Sequence, residues 1–389
     1  MDIVKEKIAQ IPGLLNELDR DLWLVFVRET PVLADPILPL VVGLEATWQT
    51  FFLYTRQGDA LALVGDLDVE DYKRSGRFTE VLSYTGSVKD DFVNLIRRLD
   101  PKDISINFSL HDPSADGLTH GMYLQLVEFL SGTPYADRLL PAENLCGKLR
   151  SRKTTSEIAR LTKVAEIATQ VWDEAVPEIE LGMTEIEVGR LIDGLIAAHG
   201  GTPSFETIVN AGDKTKPGHG QPTDARLERG DLLHIDFGVK LDDYCSDIQR
   251  LLYFKHKQET EPPVSLIDAF DTVADIITTT GGLAKPGVRG FEIDGVAREM
   301  LRDNGYDEYQ HALGHQLGRA VHDGGACIGP RWETYGVATS IPLEKNNVST
   351  LELEINLPGI GCVGLEEDVV IEETGARFIS PRQRELIVK

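Results

Sequence analysis

Apolar and polar residues alternate between residues 232 and 239, in the middle of the chain. Leu233, Ile235 and Phe237 alternate with His234 and Asp236. A period of two is typical of a half-buried strand. The aromatic and branched residues of the segment 244–254 predict a second strand, and the four residues before it predict a turn. This stretch is therefore predicted to be a β-hairpin.

The register of this hairpin determines which acidic residues meet. A turn centred between Leu241 and Asp242 would place Asp236 directly opposite Asp247. Directly opposed side chains have Cβ atoms about 4.5–5.5 Å apart, and like charges there are destabilising. Two carboxylates at such a distance share a proton or hold a cation. Two independent surface aspartates explain this hairpin equally well when it is considered alone.

A second acidic hairpin is predicted for residues 351–372, with its turn at Pro358-Gly359. If the turn is centred on Gly359, Glu352 faces Glu366. The register then selects one carboxylate pair from four candidate glutamates, although a bulge would exchange Glu366 for Glu367. The alternative is a solvated acidic edge, which a second hairpin with opposed carboxylates in the same region makes less favourable.

Three histidines lie between the two hairpins, within twelve residues: His311, His315 and His322. Gly314 and Gly318 favour a loop or a bent strand here. The segment lacks the glutamate of the HExxH motif, which excludes a zincin site. We expect one histidine to be a metal ligand and two to contact substrate, while an ordinary buried histidine is the alternative for each.

Four carboxylates and one histidine suit two divalent cations such as manganese, cobalt or zinc. Two cations about 3.5–4 Å apart lower the pKa of a bridging water and stabilise a tetrahedral intermediate. The sequence therefore predicts hydrolysis of an amide bond by a metal-bridging hydroxide.

The remaining periodicity predicts two domains. Strands alternate with helices up to about residue 140, which indicates an α/β domain. The polar and basic segment 141–153 is predicted to be a linker. Capping boxes at Thr154/Glu157 and Thr184/Glu187 then open two helices. The region beyond residue 151 is predicted to be α+β, with helices around an antiparallel sheet.

The chain resembles the pita-bread-fold metallopeptidases aminopeptidase P and prolidase, with creatinase as a metal-free relative. The resemblance implies a smaller α/β creatinase-like N-terminal domain over residues 1–150 and a pita-bread α+β catalytic domain over residues 151–389. Five segments carry it in order: FETIVNAG, GHGQPTDARLERGDLLHIDFG, YCSDIQR, HALGHQLGRAVHDGG and LEEDVVIEETG.

The resemblance also implies roles for individual residues. Glu352 matches the family's general base as well as a ligand, and His322 matches a histidine that stabilises the developing oxyanion. His219 and His311 match two further histidines on the substrate side. The five implied metal ligands are Asp236, Asp247, His315, Glu352 and Glu366. Because creatinase lacks this set, its completeness argues against creatine hydrolysis.

The chain departs from the family pattern beside the implied site. Aminopeptidase P and prolidase usually carry an arginine where this chain has Gly364, and Leu353 replaces the proline that usually follows the first glutamate. Arg331, Trp332 and Arg319 are candidates to replace the arginine. The departures bear on proline specificity. Besides an Xaa-Pro peptidase, they keep open a hydrolase of a non-proline amide or C–N bond and a non-catalytic peptide-binding relative.

Composition limits the partners and the compartment. Asp and Glu number 63 against 39 Lys and Arg, for a net charge of −24, which argues against nucleic acid and anionic membranes as partners. No apolar run reaches the roughly 18 residues of a membrane span, and the charged N-terminus is unlike a signal peptide. Four widely spaced cysteines favour a reduced, cytoplasmic protein. The resemblance implies a homodimer and a peptide substrate with proline at its second position.

Overall fold

The amphipathic pattern at the start of the chain forms a helix, α1, at Ile3–Glu17 in a computed structural model that describes residues 2–214 and 220–389. Asp2 caps it, because the Asp2 carboxylate accepts a hydrogen bond from the backbone N–H of Val4 at 3.0 Å. The chain divides into two compact units, Met1–Arg150 and Ser151–Lys389.

A six-stranded mixed sheet organises the first unit, with strand order β4-β3-β2-β1-β5-β6. Strand β1 shows why its sequence is a continuous apolar run: alternate side chains such as Trp23 and Leu24 enter two different apolar clusters, one on each face. The strands are β1 Leu22–Val27, β2 Thr50–Thr55, β3 Ala60–Gly65, β4 Glu80–Tyr84, β5 Ile104–Ile106 and β6 Leu139–Pro141, and the helices after α1 are α2 Leu38–Val41, α3 Val69–Ser75, α4 Lys89–Leu99, α5 His120–Leu130 and α6 Glu143–Ser151.

The prediction of a linker at residues 141–153 is wrong. Most of this segment is helix α6, and Leu145, Cys146 and Leu149 are buried at helical spacing. The charged residues between them gave the segment a polar composition, although its apolar stripe is long enough for two helical turns.

A larger antiparallel sheet organises the second unit, with strand order β13-β14-β12-β9-β8. Helices α9 and α10 cover one apolar cluster of this unit, and α7 and α8 cover another. The helices are α7 Thr155–Glu178, α8 Glu185–Ala198, α9 Val264–Leu283 and α10 Gly290–Asp303, and the strands are β7 Thr202–Pro203, β8 Ile208–Ala211, β9 Leu232–Phe237, β10 Val239–Leu241, β11 Tyr244–Cys245, β12 Ile248–Tyr253, β13 Val348–Leu357, β14 Gly361–Glu372, β15 Gly375–Phe378 and β16 Ile387–Val388.

Both predicted capping boxes are present. The Thr154 N–H donates to Glu157 Oε2 at 2.8 Å, and the Glu157 N–H donates to Thr154 Oγ1 at 3.2 Å. Thr184 and Glu187 form the same reciprocal pair at the start of α8. Among the described residues, none of the helices combines the length and the apolar character that a membrane span requires.

Candidate metal centre

The acidic hairpin at β13 and β14 has the predicted register. Glu352 pairs with Glu366, and Glu354 pairs with Gly364. The turn lies at residues 358–360, where Gly359 adopts a φ of 79° that favours glycine. The side chains of Glu352 and Glu366 therefore lie next to each other on one face of the sheet.

The register predicted for the first hairpin is wrong. Asp242 and Asp243 both have positive φ, 50° and 68°, and form a two-residue turn that centres the hairpin between them. Asp236 consequently faces Gln249, and Asp247 lies just before β12, diagonal to Asp236. The two aspartates are still neighbours, because each side chain influences the pKa of the other.

Four strands contribute one polar side chain each to a row across the sheet. Asp236 on β9 pairs with Gln249 on β12, Gln249 pairs with Glu366 on β14, and Glu366 pairs with Glu352 on β13. Side chains that are paired in this way project from the same face. The row, defined here as these four residues, places three carboxylates around one carboxamide.

His315 reaches the row from a loop that is fastened to β13. Its carbonyl oxygen accepts hydrogen bonds from the Thr350 N–H at 2.9 Å and the Ser349 hydroxyl at 2.7 Å. Gly314 permits this approach, because a Cβ there would lie 2.1 Å from the carbonyl oxygen of Thr350. His315 Nε2 lies 3.6 Å from Asp247 Oδ2 and 3.7 Å from Glu352 Oε1.

Burial and mutual repulsion perturb the acidic groups strongly. Burial, together with Glu352, raises the pKa of Asp236 to about 8. Burial and neighbouring carboxylates also raise the pKa values of Asp247, Glu352 and Glu366 well above their usual range. Burial, assisted by His322, lowers the pKa of His315 to about 3, so this imidazole is neutral. A neutral imidazole is the form that binds metals.

The residues present fit divalent cations. Among the described residues, Asp236 Oδ1, Asp247 Oδ1 and Glu366 Oε1 are buried without a hydrogen-bond partner, and none of these three carboxylates is paired with a lysine or arginine. Uncompensated buried carboxylates are costly, and a cation removes the cost. Asp247, His315 and Glu366 each offer a ligand atom, and these three atoms lie within 4.8 Å of one another.

The three histidines predicted to contact substrate lie in different surroundings. His322 is exposed, and its ring packs edge-on against His315, with 4.3 Å between ring centroids. His311 is half-buried beside the Tyr309 ring, at 5.0 Å. His219 lies outside the described residues. The structure thus brings His322 to His315, whose Nε2 lies near Asp247 and Glu352.

Glu367, the alternative to Glu366 as the last ligand, forms a buried ion pair with Arg250. Its Oε2 accepts a hydrogen bond from the Arg250 guanidinium at 3.1 Å, and both side chains are buried. The alternation of side chains along β14 places Glu367 on the face opposite to Glu366. Glu366 is therefore the glutamate that faces Asp247 and His315.

The candidates for the missing arginine make other contacts. Arg319 pairs with Asp243 at 2.9 Å, the Arg331 guanidinium stacks on the Phe291 ring, and Trp332 receives the Arg298 guanidinium at 5.1 Å. Gln249, which stands in the row, is not among the site residues predicted from the sequence. The signal in the sequence is that Gln249 follows Asp247 by two residues in a strand, so both side chains project from the same face.

The model of metallopeptidase family M24 matches residues 159–373. The chain belongs to this family. All five residues predicted as ligands lie within the matched segment. Membership confirms the predicted metallopeptidase, and with it a divalent metal cofactor and a peptide substrate.

Relatives within the M24 family extend over both units. An Xaa-Pro dipeptidase of Pyrococcus horikoshii is 32% identical over 392 residues, covering 100% of both chains. An Xaa-Pro dipeptidase of Pyrococcus furiosus is 33% identical over 241 residues, 61% of this chain and 66% of the relative. The structure of an X-Pro aminopeptidase from Thermotoga maritima superposes with a TM-score of 0.76 and 25% identity, covering 97% of this chain and 100% of that one. These likenesses confirm the predicted fold.

Proposed function

We propose that this protein is a metal-dependent Xaa-Pro peptidase whose reaction takes place at the row and His315. The observation that carries the proposal is the buried group of Asp236, Asp247 and Glu366, in which one oxygen of each carboxylate has no hydrogen-bond partner in the described part of the chain. A relative that spans the whole chain and is named Xaa-Pro dipeptidase supports the choice of bond.

The proposed ligands are Asp236, Asp247, His315, Glu352 and Glu366, and the proposed cofactor is a pair of divalent cations, manganese, cobalt or zinc. Such cations polarise a carbonyl and activate water at neutral pH. Four carboxylates would balance the four positive charges of two divalent cations. Hard oxygen donors with one imidazole suit this group of metals.

The side chains of the chain itself would supply positioning and proton transfer. Glu352 is the proposed general base, because its Oε1 faces His315 at 3.7 Å while its Oε2 is held by Gln249. The proton it accepts would pass to the leaving nitrogen of the substrate's proline. His322, beside His315, would donate to the oxyanion, with His219 and His311 on the substrate side.

A substrate panel tests this proposal. Metal-free protein should gain activity on Xaa-Pro dipeptides when Mn²⁺, Co²⁺ or Zn²⁺ is added, and Asp247→Ala should abolish it. Matched Xaa-Ala dipeptides are the control for proline specificity, and Xaa-Pro-Xaa tripeptides separate a dipeptidase from an aminopeptidase. Faster turnover of Xaa-Ala than of Xaa-Pro would favour the hydrolase of a non-proline bond. Absence of turnover on the whole panel would contradict the proposal.

We also propose that residues 1–150 form a creatinase-like N-terminal domain and residues 151–389 the catalytic domain. The family match at 159–373 falls entirely in the second part. A fragment of residues 151–389 that lacked a cooperative unfolding transition and bound no Mn²⁺ would contradict this division.

A homodimer is proposed from the first unit. Val32 and Leu110 are 84% and 86% exposed there, beside a groove of about 620 Å³ lined by Leu33, Phe108 and Tyr123. Exposed apolar patches of this kind mark protein interfaces. Light scattering should give twice the chain mass, and Leu110→Asp should shift it toward the monomer.

The four free thiols support the proposal of a reducing compartment such as the cytoplasm.

A further inference from the structure

The amide of Gln249 stands where three carboxylates meet. Its Nε2 donates to Glu366 Oε2 at 2.9 Å and to Glu352 Oε2 at 3.2 Å. Both hydrogens of this nitrogen are therefore directed at the two glutamates. Gln249 is 6% exposed, so water does not compete effectively for these bonds.

A buried relay fixes which way the Gln249 amide points. The Asn210 side-chain nitrogen, which can only donate, lies 3.0 Å from His234 Nδ1. His234 must therefore carry its proton on Nε2, which lies 2.9 Å from Gln249 Oε1. The Gln249 oxygen accepts that proton, so its nitrogen has to face the glutamates.

Gly364 provides the space for this relay. A Cβ at position 364 would lie 2.6 Å from Gln249 Oε1 and 2.7 Å from His234 Nε2. Any larger side chain would displace one of them. The glycine on β14 and the glutamine on β12 are thus two parts of one arrangement.

We propose that Gln249 is a positioning residue for the cation site, which clamps Glu352 and Glu366 through their Oε2 atoms and leaves their Oε1 atoms for the metal. Glu366 Oε1 has no hydrogen-bond partner among the described residues, and Glu352 Oε1 faces His315. The clamp carries no charge, so the carboxylates keep their full attraction for cations. The inference rests on the metal site of the proposed function and adds a residue outside the predicted ligand set.

The test compares Mn²⁺ binding to metal-free wild-type protein and to Gln249→Met by calorimetry. Methionine keeps the length of the side chain and removes both donors. Groups that orient metal ligands typically contribute 10- to 100-fold to metal affinity, and we expect a loss of about this size. The visible spectrum of the Co²⁺-loaded protein should also change, because two ligands lose their fixed orientation. Gln383→Ala is the matched control, since Gln383 is a buried amide that binds the backbone of Leu251 on the same strand.

Gly364→Ala tests the same inference by a second, independent substitution. Its methyl group should displace the amide and weaken Mn²⁺ binding as Gln249→Met does. The double variant should be no weaker than the single ones, because both remove the same clamp. Losses that multiply would overturn the inference.

The inference also fails if Gln249→Met binds Mn²⁺ within twofold of wild type with an unchanged Co²⁺ spectrum. That outcome differs from failure of the proposed function, in which the wild-type protein itself would bind no Mn²⁺.

Discussion

Glu352 and Glu366 lie directly opposite each other on β13 and β14 and accept hydrogen bonds from the same nitrogen, Gln249 Nε2. The pairing brings together two groups that repel each other when ionised. Burial, together with Glu366, keeps the pKa of Glu352 raised in the metal-free protein. The site is therefore strained electrostatically until cations are bound.

Glu352→Gln should reduce activity and increase the stability of the metal-free protein. Loss of a general base costs about 10²–10⁴ in kcat. Removal of one carboxylate from the crowded group relieves repulsion, so the melting temperature without metal should rise. Kinetics on an Xaa-Pro dipeptide and thermal unfolding measure the two effects. Glu372→Gln at the exposed end of β14 should alter neither, and an active Glu352→Gln would contradict the assigned role.

Metal-free protein should lose stability as pH rises from 6.5 to 8. The pKa of Asp236 is about 8 in the folded state against an ordinary value of 3.8 for aspartate, so the folded protein retains a proton that the unfolded chain has released. Each retained proton costs about 1.4 kcal/mol per pH unit. The depressed pKa of His315 acts in the opposite direction, but its contribution is complete above pH 6.5, the usual value for histidine.

Urea unfolding at pH 6.5, 7.25 and 8 measures this slope. Asp236→Asn should make it shallower, and saturating Mn²⁺ should reverse it, because metal binding displaces protons. A stability that is independent of pH across this window would contradict the raised pKa values.

Glu366 and Glu367 should respond differently to substitution. Glu366→Gln should weaken Mn²⁺ binding by more than about 100-fold, since even groups that only orient ligands contribute 10- to 100-fold. Glu367→Ala should leave the metal stoichiometry unchanged. It should lower the free energy of unfolding by about 3–5 kcal/mol, because the buried guanidinium of Arg250 loses its carboxylate partner.

The double variant Arg250→Met/Glu367→Leu is the control for unfolding, because it removes Glu367 without leaving the Arg250 charge buried and unpaired. Replacement of both buried partners by apolar residues is often tolerated. If this folded variant failed to bind Mn²⁺, Glu367 rather than Glu366 would have to be the ligand.

His322→Ala should slow catalysis without loss of metal. A group that stabilises an oxyanion contributes about 10²–10³ to kcat. Because His322 touches the ring of His315 and is not itself a proposed ligand, metal content by elemental analysis should stay at the wild-type value. The exposed His256→Ala serves as the control. A change in metal content with kcat unaffected would assign His322 to the metal instead of the substrate.

The sequence predicted the two hairpins unequally well, for a physical reason. Pro358-Gly359 marks the β13–β14 turn clearly, so the Glu352–Glu366 register followed from counting. The other turn has Asp242 and Asp243 at positive φ. Aspartate tolerates this conformation, but its presence in a sequence does not predict it. An error of one position at the turn exchanged Gln249 for Asp247 opposite Asp236.

Gln249 was not predicted from the sequence, because a carboxamide does not titrate and this one belongs to no recognisable motif. His234 was noted only as a position in an alternating strand. The contact between His234 and Gln249 depends on the space at Gly364, which only the packing of three strands reveals.

The row also makes metal occupancy a property of the whole sheet. Each of four adjacent strands supplies one member, so no single strand can separate without dismantling the site. Hydrogen–deuterium exchange of the backbone amides of β9, β12, β13 and β14 should therefore slow together on Mn²⁺ addition, while exchange in the first unit stays unchanged. Loss of metal would then show first as a loosening of the sheet, before any change at the surface of the molecule.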